Sequence, residues 1–148
     1  MKASRFRLQT LLNVREHAEK ERQRLLGVSI AKVMKQQEHI RRLEAEKQNL
    51  LSSQRDSAMK PMSPSHMLGY SRYLLRLKRE ELTGREVLKA LKLEEEKRRA
   101  ELLVATKEKR ILEKLKEKQH KQEQKERDAA ETKMADELSL TAFARMRV

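Results

Sequence analysis

The sequence predicts an all-α fold: a two-helix antiparallel coiled-coil hairpin with a longer second helix. Three observations predict it. Ala, Glu, Lys, Leu and Arg occupy 91 of the 148 positions, the bias of long helices and coiled coils. Only three Gly and two Pro are present, too few to punctuate a sheet protein. Both prolines fall in one stretch, Lys60-Pro61-Met62-Ser63-Pro64-Ser65, which leaves a long uninterrupted tract on either side.

Proline lacks the backbone donor and restricts the residue before it, so a first helix of about residues 3–59 should end at this stretch. Ser63 followed by Pro64 has the chemistry of an N-cap and a first helical position. It restarts a second helix over about 64–144. The reading is thus one helical hairpin over 1–148, with its turn at 60–65.

The second helix carries a heptad seam. Alternate steps of three and four from Met67 reach Tyr70, Leu74, Leu77, Glu81, Gly84, Leu88, Leu91, Glu95, Arg98, Leu102, Ala105, Lys109, Leu112 and Lys116. In the first helix, Leu11, Val14, Ala18, Leu25 and Val28 mark one phase. Leu26, Ile30, Val33, Ile40, Leu43 and Leu50 mark a shifted one. A shift of this kind predicts a local change of supercoiling without a break.

The short connection favours antiparallel pairing, in which residue i meets a partner near 124 − i. That register sets Leu50 against Leu74, Val33 against Leu91, Leu12 against Leu112 and Gly84 against Ile40. It leaves about 120–148 without a partner on the first helix. The stretch from Met134 to Met146 is again amphipathic, with Leu138, Leu140, Phe143 and Met146 available, and reads either as a docking surface or as a partly ordered terminus.

Composition excludes several functions. The chain has no cysteine, so disulfides, thiolate metal sites and cysteine nucleophiles are out. Met1-Lys2-Ala3-Ser4-Arg5-Phe6-Arg7 lacks the apolar run of a secretory signal. No apolar run approaches the ~20 residues that span a bilayer. A cytoplasmic location is expected. The net charge of +13 is spread along both helices and suits acidic partners of any kind.

No catalytic constellation emerges. His17, His39, His66 and His120 lack metal-ligand spacing. Glu80-Glu81 and Glu94-Glu95-Glu96 suit surface ion pairs better than acid–base work. No phosphate-binding loop or nucleophile elbow is present. The chain is therefore expected to have no enzymatic activity, cofactor or metal. Lys107 to Arg110 and Lys114 to Lys125 are basic, but interleaved glutamates make a solvated coiled-coil flank the better reading than nucleic-acid binding. Tyr70 and Tyr73, the two tyrosines, directly follow the turn. Tyr70 fits the seam and Tyr73 projects beside it, as a packing cap or an anchor for a partner.

Three patterns in order resemble the FliJ family, a component of the bacterial flagellar type III export apparatus. They are the N-terminal series Phe6, Leu8, Leu11, Leu12, Arg15 and Glu19, the Tyr70, Tyr73 and Leu77 spacing after the turn, and the segment 111–143 with Asp136 and Glu137. The resemblance implies a non-enzymatic stalk for protein transport in flagellum biogenesis and motility. It would insert into the hexameric export ATPase and contact the cytoplasmic domain of the export-gate membrane protein and substrate chaperones.

By position, the resemblance sets Phe6, Leu8, Leu11, Arg15, Asp136, Glu137, Leu140 and Phe143 at the ATPase-binding end. It assigns Tyr70, Tyr73 and Leu77 to the gate. The implied location is cytoplasmic and peripheral, at the inner face of the cell membrane. The equivalent stalk of a virulence secretion system shares this architecture. A basic coiled coil for nucleic acid or anionic membrane is the competing class, marked by salt-sensitive binding that survives loss of Tyr73.

Overall fold

A computed structural model describes residues 6–57 and 61–147. It contains two helices packed together, α1 (Gln9–Ser57) and the longer α2 (Pro64–Met146). The protein is a helical hairpin.

The restart of the chain follows from the cap. The Ser63 hydroxyl accepts from the His66 backbone N–H at 3.2 Å, and the Ser63 carbonyl accepts from His66 and Met67 at 3.1 and 3.2 Å. Two of the donors left open at a helix start are thereby satisfied. On the turn's other side, the Gln54 amide donates to the Met62 sulfur at 3.5 Å. The first helix begins later than its composition suggests. Residues 3–5 lie outside the described residues, and Phe6 to Leu8 form a turn whose Phe6 carbonyl accepts from Gln9 at 3.0 Å. Residues 58–60, on which the expected end of α1 falls, also lie outside them.

Between its ends the α2 seam is the one the heptad pattern selects: every seam position from Tyr70 to Leu112 is buried or half-buried, whereas the end positions Met67 and Lys116 are exposed. The α1 seam corrects the expected phase change. Steps of three and four run unbroken from Leu12 through Glu19, Leu26, Val33, Ile40, Lys47 and Gln54 to Ser57, and only Arg22 among them is exposed. Leu11, Val14 and Val28 lie off this seam and are exposed. The apparent shift arose because Glu19, Arg22, Ser29, Gln36, Lys47 and Gln54 take seam positions, while those aliphatics face outward.

By chain contacts the protein divides into two compact units, one of residues 1–19 with 104–148 and one of 20–103. Each shows the antiparallel register by itself. In the larger, a Cβ at Gly84 would stand 3.3 Å from Ile40, the neighbour that the 124 − i rule selects. The same unit joins Lys47 to Glu81 at 3.1 Å and Arg22 to Glu101 at 3.3 Å. The other joins Arg15 to Glu108 at 2.6 Å and Glu19 to Lys109 at 2.9 Å. All of these lie within five residues of that rule.

The core is thin. Leu12, Val33, Ile40, Leu43, Leu77, Ala105 and Leu112 are its buried apolar residues. A well-buried aliphatic side chain contributes about 1.5–3 kcal/mol; between these residues the seam is filled by half-buried Leu26, Leu50, Leu74, Leu88, Leu91 and Leu102 together with polar side chains.

Candidate docking surfaces

In the unit formed by residues 6–19 and 104–147, the pairing of α1 with α2 runs out. Leu12 and Leu112 are buried, and Arg15 is half-buried against Glu108. Beyond them Phe6, Arg7 and Thr10 line a groove with Lys116, Gln119, His120 and Glu123. Phe6 is half-buried there, whereas Leu8 and Leu11 are exposed. The α2 half of this groove was not singled out in the sequence. The register would have found it, since it sets residue 118 opposite Phe6.

From Gln124 to Arg147 every residue of this unit is exposed. The segment remains helical to Met146 and uses local bonds. Gln124 donates to Asp128 at 3.2 Å, and the Thr132 and Thr141 hydroxyls donate to carbonyls of the preceding turn. Met134, Leu138 and Ala142 follow one another at four-residue steps, and Leu140 and Phe143 project from a second face. Leu138, Leu140 and Phe143 are 65, 68 and 60% exposed. Arg147 lies over the Phe143 ring, 5.4 Å from its centre, a cation–π contact. Asp136 and Glu137 are exposed on the same segment.

In the unit of residues 20–103, a second groove lies by the turn. Leu50, Gln54 and Ser57 of α1 face His66, Gly69, Tyr70 and Tyr73 of α2 across it. Tyr70 is half-buried on the seam, and Tyr73 is 38% exposed beside it. The Glu46 carboxylate pushes the Tyr73 hydroxyl above its ordinary range, mainly by accepting its hydrogen bond, with burial adding to the effect. Leu77 is only 2% exposed and belongs to the core.

Polar stations lie behind both surfaces. Glu81 is buried between Arg85 at 2.8 Å and Lys47 at 3.1 Å, and Arg85 also reaches Glu44 at 2.9 Å. The Arg85 and Lys47 hydrogen bonds hold Glu81 below the usual carboxylate range against the opposing effect of burial. Lys109 does the same for Glu19 and is itself raised by that carboxylate.

These are the candidate docking surfaces. Among the described residues no group of His, Asp and Glu is disposed to hold a metal ion, and no helix is long and apolar enough to cross a membrane. The architecture defines the class: a two-helix hairpin that offers one surface by its turn and others where its pairing gives out. The model of the flagellar FliJ protein family matches residues 4–147, and the chain belongs to that family. Membership implies a structural component of the flagellar export apparatus, in a family that is generally non-enzymatic. Comparison with curated proteins and with solved structures found no match.

Proposed function

We propose that the protein is a non-enzymatic stalk that inserts into the hexameric flagellar export ATPase and links it to the membrane export gate and to substrate chaperones. One observation carries the reading: α2 runs on for more than twenty residues with no α1 opposite, and it displays Leu138, Leu140 and Phe143. Exposed apolar side chains on an otherwise charged helix are a docking surface awaiting a partner.

In this reading Phe6, Leu8, Leu11 and Arg15 join Asp136, Glu137, Leu140 and Phe143 in gripping the ATPase. Tyr70 and Tyr73 contact the cytoplasmic domain of the gate protein, with Leu77 holding their helical turn in place from the core. The protein works in the cytoplasm, peripherally at the membrane face, and the ATPase performs the chemistry. The family match is to the flagellar protein, which favours this system over a virulence apparatus.

The test is a titration of the purified chain against the purified export ATPase and, separately, the gate domain. Removing residues 130–148 should weaken ATPase binding and leave gate binding intact. Unchanged ATPase affinity after that truncation would sink the assignment.

A further inference from the structure

Within the unit that contains residues 104–147, α2 carries a row of cations that the seam does not use. Lys107, Arg110, Lys114, Lys118, Lys121 and Lys125 are all exposed. At about 100° per residue they fall within an arc about 80° wide, and they extend over about 27 Å of helix. The row lies on the side of α2 turned away from Ala105, Lys109 and Leu112.

The glutamates that alternate with these residues in sequence mostly face elsewhere. Glu108 pairs with Arg15 of α1 at 2.6 Å, Glu113 reaches Lys109 at 3.6 Å, and Glu123 accepts from Gln119 at 3.1 Å. Glu117 borders the row and Asp128 ends it. None of the six cations is in a salt bridge among the described residues. The six cations thus lie on the solvated flank that the sequence predicts, and winding into a helix turns most of the interleaved glutamates away from them.

The other border of the row is apolar. Val104, Ile111 and Leu115 are 55, 61 and 44% exposed and sit on one line beside the lysines. No aromatic residue occurs between Tyr73 and Phe143, so the stacking platform of a single-strand binder is missing. A cationic row with aliphatics along its edge suits a charged interface with a shallow apolar layer beneath it.

We propose that this face of α2 attaches reversibly to an anionic phospholipid surface. Lys107, Lys114 and Lys121 and their neighbours meet headgroup phosphates, while Val104, Ile111 and Leu115 enter between the headgroups. Attraction of basic side chains to anionic leaflets supplies most of the affinity, and it fades with salt. The proposal does not depend on the export reading, because it uses none of the residues assigned to the ATPase or the gate.

The test is co-sedimentation of the full chain with phosphatidylcholine vesicles, with and without phosphatidylglycerol. Binding is expected only to the anionic vesicles, weakening as salt rises. Replacing Lys107→Gln, Lys114→Gln and Lys121→Gln together should lower it on the order of a hundredfold. Lys32→Gln, Lys89→Gln and Lys97→Gln together remove equal charge elsewhere and should change it little. Ile111→Gln should weaken it several-fold with charge unchanged. Circular dichroism should show the helix content of every variant to be that of the parent.

The proposal is overturned if the first triple variant binds like the parent, or if the second loses as much as the first. It is also overturned if a short RNA duplex binds more tightly than the vesicles and depends on the same three lysines.

Discussion

The Lys109 ammonium lies 2.9 Å from the Glu19 carboxylate, yet the two are not directly opposed in the register. The residue facing Glu19 is the buried Ala105, whose small side chain lets the carboxylate lie along the seam toward the next layer. Lys47 and Glu81 are likewise offset from direct opposition and lie 3.1 Å apart, although the residues facing them are the buried Leu77 and Leu43. Each pair puts one buried carboxylate into the seam.

Breaking such a pair leaves a desolvated charge behind, whereas removing both members does not. Lys109→Ala is therefore expected to lower the thermal midpoint by roughly 3–8 °C. Glu19→Leu with Lys109→Leu should restore it to the parent value or above. Thermal scans by circular dichroism decide; equal loss in the single and double variants would contradict the account.

The same carboxylates set the acid limb of stability. Glu19 and Glu81 are held below their ordinary value by Lys109 and by Arg85 with Lys47. A depressed carboxylate stabilises the fold above its unfolded value near about 4.3. That contribution fades as pH falls through the lower folded value. Stability should decline from about pH 5 downward, and Glu19→Gln with Glu81→Gln should flatten the decline. Denaturation midpoints measured across that range would show a parallel decline in both proteins if the idea were wrong.

The glycines separate by surroundings. A Cβ at Gly84 would stand 3.3 Å from both Gln36 Nε2 and Ile40, and Gln36 donates to the Gly84 carbonyl at 3.0 Å. At Gly27 nothing lies within 4 Å. Gly27→Ala should stabilise by about 0.5–1 kcal/mol through helix propensity. Gly84→Leu should destabilise by about 1–3 kcal/mol through overpacking. Urea unfolding compares them directly, and a neutral Gly84→Leu would argue against the close approach.

Leu77 and Tyr73 must be tested apart. Leu77→Ala should cost about 2–4 kcal/mol, because it opens a cavity in the core. Tyr73→Ala should leave the helix content unchanged and reduce binding to the gate domain. A Tyr73→Ala protein that unfolds early, or that binds the gate domain normally, would remove Tyr73 from the proposed contact.

Leu140→Ala with Phe143→Ala should reduce ATPase affinity by tenfold or more, since exposed aromatic and aliphatic anchors dominate such interfaces. Both side chains are exposed, so the thermal midpoint should not move. Calorimetric titration against the ATPase tests it, and an undiminished signal would exclude these two side chains from the contact.

Much of the hairpin was legible from the residues alone. The Ser63-Pro64 restart, the α2 seam and the Gly84–Ile40 approach follow from local chemistry and from counting back across one short turn. The α1 seam was not legible as an apolar pattern. Glu19, Arg22, Ser29, Gln36, Lys47 and Gln54 occupy it, and the signal they obscure returns only when positions on α2 are subtracted from 124. The cationic row was hidden for a related reason. Lysine and glutamate alternate along the chain, and only winding it into a helix separates Lys107, Lys114 and Lys121 from Glu108 and Glu113. The grooves by Phe6 and Tyr73 depend on residues far apart in sequence, and no motif announces them.

The helical run from Gln124 to Met146, which no other segment of the described chain covers, has a practical corollary. A single helix in water frays readily, so trypsin should nick at Arg127 and Lys133 long before it attacks the paired stretch. The shortened species would keep its two-helix seam and lose Leu140 and Phe143, so under the proposed function it should still bind the gate domain and should bind the ATPase poorly.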